Sequence, residues 1–184
     1  YMEQCSAIPK APEALAIPGQ MATNMESGNF SYVAQGEIDR ELDASTSSPG
    51  VQKMEKMISG YYQGTVIYRT VCRAVEHGLF SQGFAGRLSV MQDFTMYQID
   101  QFCFSPYGNS PLSAPCHTEQ DRLTLYEIID CSFERAARLT AINFAAILLK
   151  PGTGKSPLRP VCVTAEGTTF QKSKLFRPKL DYYV

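Results

Sequence analysis

Across residues 51–79 apolar side chains return every three or four positions, first as Met54, Met57, Ile58 and Tyr61, then as Val66, Ile67, Val71 and Val75. That is the period of a helix with one buried stripe. Ser59-Gly60 and Gly64 interrupt the run, so the spacing predicts two helices with a break near Gly60 and Gly78 as a C-cap. The longest helical pattern covers residues 119–150. Thr118 stands before it as an N-cap, Glu119 and Asp121 fall in its first turn, and Pro151-Gly152 stops it. Ala136, Ala137, Ala141, Ala145 and Ala146 let a neighbour approach closely, which marks a core helix, and its length predicts a bend near Asp130. Residues 35–43 predict a short exposed helix, and a third helix is expected within residues 93–104. Short strands are expected at residues 1–6, 21–26 and 160–164, with a return strand at 168–171 after the turn Ala165-Glu166-Gly167. Pro9, Pro12 and Pro18 break the early chain, and residues 174–184 form a last amphipathic segment. Helix pairs with several short strands predict an α/β or mixed α+β architecture.

Composition narrows the class. A chain of 184 residues suits one domain or a large piece of one. With 44% apolar and 19% charged residues, disorder is excluded as the main state. No apolar run approaches the roughly 18–20 residues of a membrane helix, so no membrane partner is expected. Seventeen basic against eighteen acidic residues, a net charge of −1, argue against a broad nucleic-acid face while leaving room for a local patch. No secretory signal is visible, and a chain that opens at Tyr1 is expected to have been cut from something longer. The six cysteines show no C-x-x-C and no metal spacing. A reduced, cytoplasmic protein is expected.

Three patterns invite chemistry. Cys116-His117 suggests a nucleophile pair, but it lies in a loop rich in Pro, Ser, Gly and Asn, and no third group orients it. Gly154-Lys155-Ser156 has the end of a phosphate loop, but the first Gly falls on Leu149 and the helix precedes instead of following. Both are read as loops. Glu26, at a predicted strand end, and Glu55, at a predicted helix start, sit among apolar and turn residues. A buried carboxylate needs donors or loses its charge. Sugar hydroxyls are suitable donors, each charge-assisted bond contributing about 1.5–3 kcal/mol. From spacing alone, two exposed glutamates is the plainer reading.

The same segments, in order, resemble the hexokinase family, the actin-like-fold sugar kinases. Tyr1-Met2-Glu3 looks like the strand after the family's Gly-Thr-Gly loop, and Asn24-Met25-Glu26-Ser27-Gly28-Asn29-Phe30 like its Asn-Thr-Glu-Trp-Gly-x-Phe sugar segment. Asp39-Arg40-Glu41-Leu42-Asp43, then Pro49-Gly50 and Glu55-Lys56-Met57-Ile58-Ser59-Gly60-Tyr61-Tyr62-Gln63-Gly64, is similar to D-R-x-x-D…P-G-x-x-x-x-E-K-M-I-S-G-x-Y-x-G. Arg135-Ala136-Ala137-Arg138-Leu139 looks like S-x-R-A-A-x-L, and Glu166-Gly167-Thr168-Thr169-Phe170 like D-G-[ST]-x-[YF].

The resemblance implies a single partial domain over residues 1–184, in the middle of the large lobe of an actin-like ATPase (RNase H-like) fold, without the small lobe or the last nucleotide turn. It implies an ATP-dependent kinase, with Mg²⁺ arriving on ATP, that phosphorylates a glucose-like hexose at its 6-hydroxyl. Asn24, Glu26 and Glu55 would bind the sugar, and Gly60 and Thr95 the ATP. No metal ligand is implied within the chain. The catalytic Asp falls upstream of Tyr1, so the chain alone is expected to be inactive. Ser27 stands where the family has Trp, and Ile99 where it has a polar residue. A sugar sensor or a scaffold module without chemistry is the alternative. Apolar surface that faces the absent parts can drive homodimerisation.

Overall fold

A computed structural model describes residues 2–4 and 18–184. β1 (Met2–Gln4) pairs antiparallel with β2 (Gln20–Ala22), Met2 opposite Ala22. A 3-10 turn (Ser27–Asn29) follows. Then come α1 (Glu37–Ser45), α2 (Lys53–Ile58), α3 (Gly60–Glu76), α4 (Gln82–Leu88) and α5 (Met96–Phe104). The chain closes with α6 (Glu119–Leu149), α7 (Thr168–Lys172) and α8 (Phe176–Tyr183).

The balance expected between helix and sheet is corrected: the two three-residue strands are the whole sheet among the described residues, and the rest is helix and loop. Residues 160–164 form no strand. Val161 and Val163 remain exposed, and no described strand lies beside them to take their amides and carbonyls. Residues expected as the return strand instead form α7, one helical turn that sets Phe170 against the core and under Arg177. Packing overrides the strand preference of its threonines. The strand expected at 21–26 ends at Ala22. Of the strand expected at 1–6, only Met2–Gln4 is described; Tyr1, Cys5, Ser6, Pro9 and Pro12 lie outside the described residues.

α6 is the axis of the core. Leu125, Ile129, Phe133, Ala136 and Ala137 on it are fully buried, against Ile67 and Val71 of α3, Phe84 of α4, Ile99 and Phe102 of α5, and Leu180 of α8. Thr118 caps it as expected: its hydroxyl accepts from the Asp121 amide at 3.0 Å, and Asp121 accepts back from the Thr118 amide at 3.0 Å. The helix runs through Asp130 as one continuous element, with Ile129 and Phe133 beside that point fully buried. Beyond Ala137 no residue of α6 is buried, and Ile142 and Leu149 stand open.

The break near Gly60 is real and falls at Ser59, in extended backbone at ψ 143. Gln63, fully buried, donates to the Met57 carbonyl at 2.7 Å and so satisfies the end of α2 from inside α3. Gly64 brings α3 against the strand of chain entering α5: a Cβ there would lie 1.8 Å from the Phe94 carbonyl oxygen. α4 was not expected; Gly83 and Gly86 hide it from propensity, and Ser81 caps it by accepting from the Phe84 amide.

Candidate functional site

α1 is not the exposed helix its charges suggest. Asp39 and Asp43, one turn apart, are both buried on one face with Leu42. Asp39 takes a bifurcated bond from Arg135 Nη1 of α6, 2.9 Å to each oxygen, and accepts the Gly36 amide at 2.9 Å. Asp43 receives Lys56 Nζ of α2 at 2.6 Å and the Gly50 amide at 2.8 Å. Burial works to raise the Asp43 carboxyl, but the Lys56 hydrogen bond, the Gly50 amide and the Lys56 charge outweigh it and hold it below the ordinary range. Lys56 itself is 1% exposed and also donates to Thr46 Oγ1 at 2.9 Å and the Ser48 carbonyl at 2.7 Å.

Lys56 turned inward leaves its neighbour Glu55 on the other side of α2, against the 3-10 turn. A Cβ on Gly28 would stand 3.2 Å from Glu55 Cβ and 3.3 Å from Oε2, a tight contact that glycine spares the two segments. Glu26 opens that turn in left-handed backbone, φ 44 and ψ 43, and is not at a strand end. Its Oε1 accepts from Asn24 Nδ2 at 2.5 Å. Glu26 and Asn24 are exposed and Glu55 is half-buried. These residues line one cavity of about 750 Å³. Gly60, Ser59, the segment 166–169 and the apolar side chains Ile58, Ile147 and Phe176 complete its walls. Three carboxylates (Glu26, Glu55 and Glu166) and no Lys, Arg or His are among its lining residues. The buried Ser59 Oγ has no hydrogen-bond partner.

The bare Cα of Gly60 faces Thr169: a Cβ would fall 2.0 Å from its Oγ1, so α3 and α7 touch here. Thr95 lies outside this cavity. It lines an adjoining space of about 680 Å³ that Gly60 also borders. Thr95 is the N-cap of α5, accepting the Gln98 amide at 3.3 Å while Gln98 accepts the Thr95 amide at 2.9 Å. A third cavity, about 730 Å³, runs between α5 and α7 past Met96, Tyr97, Asp100 and Phe104, with Thr168 and Thr169 as its far wall. Burial pushes the Asp100 carboxyl up, against the Lys174 amide and the Ser173 hydroxyl. Ile99 points away into the core with no exposure. The structure thus joins four of the five sequence candidates in one cavity and sets Thr95 next door. It adds Ser59, Glu166, Thr168 and Thr169, which lie in the resembling segments 55–64 and 166–170 but were not singled out as site residues.

Cys116 and His117 do not form a nucleophile pair. Cys116 is buried, bonds the Leu112 carbonyl, and its thiol is pushed up to about 11 by burial. The exposed His117 ring packs where a Gly83 side chain would be. The Gly154-Lys155-Ser156 segment is an exposed turn region with no helix after it until α7. Among the described residues no group of three or more His, Cys, Asp or Glu side chains converges to hold a metal ion, and no helix is long and apolar enough to cross a membrane.

The sequence matches the family model described as Hexokinase over residues 1–184. It is 32% identical over 168 residues to Hexokinase-2 of Oryza sativa subsp. japonica, covering 83% of this chain and 33% of that protein. With Hexokinase-7 of the same species it shares 29% over 196 residues, 98% of this chain and 42% of that protein. With Hexokinase-1 of Nicotiana tabacum it shares 30% over 198 residues, 98% of this chain and 39% of that protein. The chain therefore spans about two fifths or less of the length of these relatives. The fold is similar to that of a hexokinase from Schistosoma mansoni complexed with glucose, with a TM-score of 0.76 at 20% identity, covering 100% of this chain and 43% of that one.

Proposed function

Because this chain belongs to the hexokinase family, we propose that it forms the sugar-holding middle of the large lobe of an ATP-dependent hexose kinase. The observation that carries the reading is the cavity uniting Asn24, Glu26 and Glu55. Glu26 and Glu55 accept hydrogen bonds from sugar hydroxyls, and Asn24 holds the Glu26 carboxylate through the 2.5 Å contact. Ile58, Ile147 and Phe176 give apolar surface for the C–H side of the ring. Three carboxylates with no cation favour a neutral polyol over a phosphorylated sugar as the resting occupant.

ATP enters from the side of Gly60 and Thr95. The Thr95 oxygen is engaged as an acceptor in the cap, which leaves its hydroxyl proton to donate. The cavity between α5 and α7, with Met96, Tyr97 and Phe104 on its wall, has the apolar surface a nucleobase needs. MgATP supplies the phosphoryl group for the hexose 6-hydroxyl. The residues here position the acceptor so that this hydroxyl faces the nucleotide, and that positioning is their contribution to rate. The proton-accepting Asp belongs to a part of the enzyme outside this chain, as does the lobe that closes to exclude water.

The test is a coupled assay of glucose-dependent ADP release by the longest natural polypeptide containing this chain, wild type beside Glu26→Ala. Activity lost on substitution supports the kinase and the place of Glu26. Activity unchanged removes Glu26 from the site. No turnover with glucose, fructose or mannose, but saturable glucose binding, replaces the kinase by a sugar sensor.

A further inference from the structure

α2 has six residues, too few to be stable alone. Its N-cap Gln52 lies at φ 53 and makes no side-chain bond to the helix. What α2 is tied to therefore decides how it is rotated. Met54 and Met57 bury apolar surface, which tolerates sliding. Lys56 does not: its three N–H donors meet three acceptors, Asp43 Oδ1, Thr46 Oγ1 and the Ser48 carbonyl. Asp43 is in turn fixed by the Gly50 amide, and one turn back along α1 Asp39 is clamped by Arg135 of the core helix. α1 is thus a strut between α6 and α2. Successive residues of a helix lie about 100° apart around its axis. With Lys56 locked toward α1, Glu55 is locked toward Gly28 and the cavity.

We propose that Lys56 and Asp43 are positioning residues of the sugar site: their buried pair sets the rotation of α2 and through it the place of the Glu55 carboxylate. This rests on reading the cavity as a hexose site. As plain glue the pair would be a poor choice, since apolar replacements of a buried ion pair are often neutral or stabilising. Its three-point geometry supplies what apolar packing does not, a single rotational setting.

The test is a two-residue thermodynamic cycle read by calorimetric glucose titration on the longest natural polypeptide containing the chain. The variants are Lys56→Met, Glu55→Gln and the two combined, each checked by circular dichroism. Lys56→Met is expected to weaken glucose binding about tenfold or more. The combined variant should bind within about twofold of Glu55→Gln alone, because Lys56 acts through Glu55. Asp43→Leu with Lys56→Met removes both charges together, keeps a folded protein to measure should Lys56→Met alone unfold, and is expected to bind as weakly. Wild-type affinity in that paired variant, or losses that multiply in the combined one, overturns the proposal and leaves the pair a fold element. A wild type with no glucose affinity removes the hexose site itself, and the positioning role with it, so the two failures are told apart.

Discussion

Two helical glycines should respond to the same substitution with opposite signs. In Gly64→Ala the new methyl would lie 1.8 Å from the Phe94 carbonyl oxygen and 2.9 Å from its carbon. Carbon and oxygen come no closer than about 3.3 Å in favourable contacts, so one backbone must retreat by about 1.5 Å. The obstacle is main chain and leads directly into the Thr95 cap of α5, behind which Ile99 and Phe102 are fully buried. Overpacking costs about 1–3 kcal/mol, and an immovable neighbour puts this site at the upper end. Removing a glycine from a helix interior returns about 1 kcal/mol, so the net loss is about 2 kcal/mol. For a chain of this length that lowers Tm by about 4–8 °C. Gly86, in α4, has nothing within 4 Å of its would-be Cβ and is exposed. Gly86→Ala should gain about 0.5–1 kcal/mol. Urea melts followed by helical circular dichroism measure both. Gly64→Ala as stable as wild type would refute the close approach of α3 to the start of α5, and Gly86→Ala losing as much as Gly64→Ala would refute the open space beside Gly86.

Arg135→Met leaves Asp39, 2% exposed, with only the Gly36 amide. Because Arg135 is itself partly open to water, the expected cost is near the low end for a broken buried pair, about 3 kcal/mol, and a loss below about 1 kcal/mol in a urea melt would contradict the clamp. Burial pushes the Cys103 and Cys116 thiols up to about 12 and about 11. Both should resist Ellman's reagent near pH 8 until the protein unfolds, while exposed Cys131 and Cys162 react at once; early labelling of Cys103, read by peptide mass spectrometry, would contradict its place in the core. The Tyr183 hydroxyl, then Lys179, hold the Glu134 carboxyl down to about 2. Its folded value lies below its unfolded one, so its stabilising effect is present above about pH 4.5 and is lost as pH falls through about 2. Tyr183→Phe should raise the value in a carbon-detected NMR titration of Glu134, and an unmoved titration would remove the hydroxyl from the cause.

What could be read in the sequence were features that depend on a few adjacent residues. The Thr118 cap, the break before Gly60 and the period through Val66, Ile67 and Val71 are local, and the structure repeats them. Residues 160–164 misled because β-branched side chains state a preference for a pleated neighbour without supplying one. Asp39 and Asp43 misled for the opposite reason. Charges normally face water, and the partners that bury these two, Arg135 and Lys56, are 96 and 13 residues away. The site was legible only through resemblance: no periodicity joins Glu26 to Glu55, and the Gly28 contact that does so exists only in three dimensions.

The single turn of α7 has two faces in use. Thr168 and Thr169 border the cavity of Glu26 and Glu55 on one side and the α5 cavity on the other, and Thr169 also touches Gly60. Occupants on the two sides would share one partition, so neither affinity is independent of the other. Thermodynamic reciprocity then requires that whatever factor the first occupant imposes on the second is returned unchanged. A partition of five residues, with no fully buried residue of its own to hold it, is easily loosened, so fixing it falls to its occupants. The first occupant would bear that entropic cost and the second would find it already met, a source of synergy that needs no change of shape.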